Sequence, residues 1–86
     1  NDIEQLPHPA IFRGLGDIAF ELSNYSNARE NYHKALLLAE KINHREEQTR
    51  ALVKMGNIDL IQGNHNRADD LYRRGVTLAK QVDHSW

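Results

Sequence analysis

Five histidines, His8, His33, His44, His65 and His84, are the residues best suited to metal or acid–base chemistry in this chain. No two stand at the close spacing a zinc site uses, so they predict loop and surface positions rather than ligands; His44 and His84 fall at hairpin ends. No nucleophile is backed by a base and an orienter, no glycine-rich loop cradles a phosphate, and no paired carboxylates have a reason to shift their pKa values. The residue types therefore predict no enzyme, no cofactor and no metal. Arg67, Arg73, Arg74 and Lys80 form a basic cluster, but Asp69 and Asp70 balance it on the same segment, which reads as a solvated face rather than a nucleic-acid surface. Asn24-Tyr25-Ser26 is a formal glycosylation sequon whose asparagine is better placed as a helix cap.

The elements that position these side chains follow from apolar spacing. The 86 residues make at most one small domain, with 40% hydrophobic and 27% charged residues, the balance of a folded chain. A net charge of −1 gives no field to attract nucleic acid or an anionic membrane. No apolar run approaches the roughly 20 residues of a membrane span. With no cysteine the chain suits an intracellular, cytoplasmic setting. Pro7 and Pro9 make residues 1–9 a lead-in, or the end of a preceding repeat. From Ala10 onward Ile11, Phe12, Leu15, Ile18, Ala19 and Leu22 share one helical face. Asn24 then caps a second stripe through Ala28, Tyr32, Ala35, Leu36, Ala39 and Ile42. A third runs through Ala51, Leu52, Met55 and Ile58. Gly63-Asn64 marks a turn, and a fourth stripe runs through Ala68, Leu71, Tyr72, Gly75, Ala79 and Val82. This pattern predicts an all-α fold, two antiparallel helical hairpins stacked as an α-solenoid.

The halves are copies. Residues 11–46 laid on 51–86 without a gap give eight identities in 36 pairs, against roughly two expected from average residue usage. Gly16 meets Gly56, Ile18 meets Ile58, Asn24 meets Asn64, Ala28 meets Ala68 and Tyr32 meets Tyr72; Leu38, Ala39 and His44 recur as Leu78, Ala79 and His84. The spacing predicts hairpins over 10–45 and 46–84. In each, glycine on the first helix and alanines on the second let the backbones approach, with the tyrosine filling the space beside them.

Gly16, Ala28, Tyr32 and Ala35, matched by Gly56, Ala68, Tyr72 and Gly75, resemble the small-and-large signature of the tetratricopeptide repeat, over about residues 9–84. The period here is 40 residues rather than the usual 34, and Glu40 and Lys80 replace the proline common near the end of the second helix. In this the chain is similar to the 40-residue subclass of GoLoco-binding polarity adaptors, kinesin light chains, peptide-pheromone receptors and sensor regions of NTPase-linked regulators. The resemblance implies an adaptor that holds a partner's peptide or helix in a concave groove lined by the first helix of each repeat. Mapped onto this chain, the groove residues are Arg13, Asp17, Phe20 and Glu21, then Arg50, Lys54, Asn57 and Ile61. Asn57 offers donor and acceptor to a peptide amide, Arg13 and Arg50 can fork onto a carboxylate, and Phe20 and Ile61 supply apolar contact. Arg50 and Lys54 resemble half of the carboxylate clamp of chaperone-binding members, with Asp17 where asparagine would stand.

A structural or self-associating role is the alternative. Repeat arrays need about three units to bury their stacked faces, and a chain that begins with Asn1 reads as an excerpt of a longer array. Between Ala28 and Met55 there is neither glycine nor proline, so the helices around Asn43 could also run together and exchange hairpins in a homo-oligomer.

Overall fold

The computed structural model describes residues 5–83, and four helices hold nearly all of them: α1 Pro9–Glu21, α2 Tyr25–Lys41, α3 Arg45–Ile61 and α4 His65–Asp83. The starts of α1, α2 and α3 each have a local cause. Pro9 sits in the first turn of α1, where a missing N–H costs nothing, and the Ala10 N–H donates to His8 Nδ1 at 3.0 Å. Asn24 caps α2 by accepting from the Asn27 N–H at 3.3 Å. His44 caps α3 by accepting from the Glu47 N–H at 3.2 Å.

The three interhelical turns are one device used three times. In each, the N–H two residues past the helix cap reaches back five residues: Asn24 to the Ala19 carbonyl at 2.8 Å, His44 to Ala39 at 2.8 Å and Asn64 to Asp59 at 2.7 Å. This closure needs a left-handed residue in between, supplied by Ser23 (φ 59°), Asn43 (φ 59°) and Gly63 (φ 83°). Asn43 thus separates α2 from α3, and the continuous helix allowed by the sequence is not formed. The turn residue does not have to be glycine, because the asparagine side chain tolerates the left-handed region.

Helix α1 packs on α2, α3 on α4 and α2 on α3, while α1 and α3 scarcely touch. The result is all-α, two antiparallel hairpins stacked as an α-solenoid of 39 × 28 × 15 Å. One core cluster joins Ala35 and Leu36 of α2 to Ala51 and Leu52 of α3 and Leu71 of α4. A second joins Ala19, Ala28 and Tyr32 to Ile58.

Two expectations need correction. Gly16 and Gly56 do not serve backbone-to-backbone approach: a Cβ on Gly16 would lie 2.5 Å from the Tyr32 ring, and one on Gly56 2.7 Å from the Tyr72 ring. The glycine makes room for the tyrosine. Nor is the apolar stripe of α1 covered. Phe12 and Ala19 pack inward, but Ile11, Leu15, Ile18 and Leu22 face outward, Ile18 at 61% and Leu22 at 75% exposure. Their counterparts Ala51 and Ile58 are buried against α2, and among the described residues no helix stands on α1 in the place that α2 takes on α3. For the same reason Val76 and Ala79 on α4 are exposed whereas Leu36 and Ala39 on α2 are buried.

Candidate functional site

Because α1 and α3 run side by side with little contact, the gap between them is floored by α2. A cavity of about 260 Å³ opens there, lined by Asp17, Phe20 and Glu21 from α1, Tyr32 from α2, and Lys54 and Asn57 from α3. Five of the eight groove residues expected from the sequence are thereby brought together. Tyr32, expected only as a packing residue, forms part of the wall.

Repeat-equivalent hydrogen bonds fix the polar groups. The Tyr32 hydroxyl donates to Asp17 Oδ1 at 2.6 Å, and the Tyr72 hydroxyl donates to Asn57 Oδ1 at 2.5 Å, each across 15 residues. The signal was present in the sequence: Asp17 and Asn57 share a repeat position, as do the two tyrosines. Asn57 Oδ1 thus already accepts one hydrogen bond, and its Nδ2 makes none among the described residues. It keeps a free donor for a peptide carbonyl, and its carbonyl oxygen retains a second lone pair beside the Tyr72 hydroxyl. Lys54 Nζ lies 3.1 Å from Asp17 Oδ1. Burial pushes the Asp17 carboxyl up, but the Tyr32 hydroxyl and Lys54 outweigh it and hold Asp17 below the usual carboxylate range. Burial, then the hydrogen bond to Asp17, pushes the Tyr32 hydroxyl well above its ordinary value. It therefore stays a neutral donor.

Toward the N-terminal ends of α1 and α3, Arg13 and Arg50 converge on Glu47, a residue the sequence reading had passed over. Arg13 Nε meets both Glu47 carboxylate oxygens at 3.0 Å, and Arg50 Nη1 meets Oε1 at 3.1 Å. Glu47 is 2% exposed; burial raises its pKa, but the two guanidiniums overcome this and the net direction is down. The forks expected to await a ligand carboxylate thus already hold one from the protein. Ile61 is exposed and lies outside the cavity wall. A more open depression of about 390 Å³ lies against Glu40, Gln48, Arg73, Arg74, Thr77 and Leu78. No group of three or more metal-ligating side chains occurs among the described residues, and His84 lies outside them. No described helix is long and apolar enough to cross a membrane.

Fixed hydrogen bonds, an ion pair and an aromatic side chain thus line this cavity. Residues 8–81 match the family model described as Tetratricopeptide repeat. No curated protein and no solved structure matches the chain.

Proposed function

The chain belongs to the tetratricopeptide repeat family, and from that premise we propose that it binds a peptide or helix of a partner protein in the groove between α1 and α3. Members of the family are non-catalytic repeat scaffolds, generally protein-interaction modules. The observation that carries the groove reading is the cavity itself, open, walled by Phe20 and supplied with the unspent Asn57 donor. A cysteine-free module of this kind suits the reducing cytoplasm. The test is a random peptide library displayed against the immobilised chain, followed by fluorescence anisotropy on the recovered peptide. Phe20→Ala and Asn57→Ala each weaken its binding by about tenfold, the loss of one well-packed contact or one buried hydrogen bond. Unchanged affinity in both, with helical circular dichroism intact, contradicts the reading.

A second reading, self-association, is favoured by the outward stripe Ile11, Leu15, Ile18 and Leu22. Two of its repeat counterparts, Ala51 and Ile58, are covered by α2, so the surface of α4 on another copy, with Val76 exposed, could take the equivalent position on α1. Light scattering over a concentration series gives a mass that climbs above the 9.9 kDa of one chain. A mass that holds at the single-chain value at every concentration eliminates it.

A further inference from the structure

We infer that the cavity between α1 and α3 receives a basic side chain, lysine or arginine, of the bound peptide. The inference rests on the groove reading above and specifies its ligand. At about 260 Å³ the cavity lies below the roughly 300–1,000 Å³ of a small-molecule site, so it suits one long side chain. Its charged walls are Asp17, Glu21 and Lys54, two carboxylates against one ammonium. Lys54 is already opposite Asp17 Oδ1, while Glu21 is exposed and forms no ion pair among the described residues. Asp17 Oδ2 likewise accepts no hydrogen bond among them.

The other two groove cations do not reverse this balance. Arg13 and Arg50 are both bound to the buried carboxylate of Glu47; the Arg13 charge is still felt at Asp17 and Tyr32, but neither guanidinium lines the cavity. The apolar wall suits the same occupant. Phe20 is held edge-to-face by Tyr25, ring centroids 5.5 Å apart, and offers a surface for the aliphatic stem of a lysine or the plane of a guanidinium. Asn57 Nδ2 then stands beside the cavity to donate to the main-chain carbonyl of the entering residue.

The experiment is a ¹⁵N-labelled titration of the chain with three capped amino acids: N-acetyl-lysine methylamide, its uncharged norleucine analogue and its glutamate analogue. The lysine probe gives saturable shifts at the amides of residues 17–21 and 54–57 and at the Asn57 side-chain amide. Norleucine binds at least about threefold more weakly, the weight of one partly solvated ion pair, and glutamate gives no saturable shift there. Glu21→Gln abolishes the preference for lysine over norleucine, whereas Glu46→Gln, exposed at the start of α3, leaves it intact. Equal binding of lysine and norleucine, preferred binding of glutamate, a lysine preference that survives Glu21→Gln, or no saturable shift with any probe overturns the assignment. A selected peptide that still needs Phe20 and Asn57 would leave the groove reading standing in that case; loss of both would remove the two together.

Discussion

Tyr32→Ala lowers the stability of the chain by about 3–5 kcal/mol, the range for deleting a buried aromatic, in urea unfolding followed by helical circular dichroism. Tyr32 is 1% exposed and joins α1, α2 and α3 through Ala19, Ala28 and Ile58. An 86-residue chain holds a total of roughly 4–13 kcal/mol, so the variant sits close to unfolding. Gly16→Ala costs about 1–3 kcal/mol from the other side of the same contact. The added Cβ would lie 2.5 Å from a ring pinned by its hydroxyl to Asp17, leaving no cheap way to yield. Combined with Tyr32→Ala the glycine substitution becomes almost free, and the resulting coupling identifies the ring as the obstacle. A Gly16→Ala penalty that persists in the alanine background would mean that the glycine serves something else. Tyr72→Ala costs less than Tyr32→Ala, since among the described residues no further helix covers Tyr72 and it remains partly exposed.

Arg29→Met removes about 2–4 kcal/mol, somewhat under the usual cost of stranding a buried charge. The reason is Asp59, 0% exposed, which accepts from Arg29 Nη2 at 2.7 Å across the junction between the hairpins. Asn64 Nδ2 at 3.3 Å and Arg67 at 3.7 Å remain after the substitution and soften the loss. Burial alone would raise the Asp59 pKa; Arg29, Asn64 and Arg67 more than reverse this, so its folded value lies below its unfolded one. A depressed carboxylate contributes stability that is complete above its unfolded pKa, about 4, and is lost as pH falls through the folded value. Asp17 and Glu47 act in the same direction. Wild-type stability therefore declines below about pH 4. The gap to Arg29→Met closes over the same range, because without the guanidinium burial governs and protonation of Asp59 brings relief. A gap that stays constant between pH 7 and pH 3 would show that Arg29 stabilises by packing alone.

The repeat was legible because its signature is local. Gly16 with Tyr32 and Gly56 with Tyr72 recur in one register, and four apolar stripes at helical spacing locate four helices. Periodicity marks an apolar face without recording what covers it, which is why Ile18 and Ile58, identical in sequence, end at 61% and 0% exposure. The turn at Asn43 was faint because its left-handed residue is not glycine, although the backbone closes there as it does at Gly63. The ion pairs were silent for another reason. Arg29 and Asp59 lie 30 residues apart, and their repeat equivalents, Asp69 and Ala19, cannot make the same pair. Glu47 gave no sign that it would draw Arg13 and Arg50 away from a ligand. Five of the expected groove residues converge around one cavity because each sits on a helix face fixed by the repeat; the electrostatics of that cavity depended on partners that the repeat does not encode.

The central claim is that recognition takes place between α1 and α3. Amide chemical-shift mapping of the ¹⁵N-labelled chain with the library-selected peptide tests it most directly. The account predicts shifts concentrated at Asp17, Phe20, Glu21, Lys54 and Asn57, with the Asn57 side-chain amide among the largest. Shifts concentrated instead on the outward stripe of α1, or around Arg73, Arg74 and Thr77 on α4, with the groove unmoved, would contradict it.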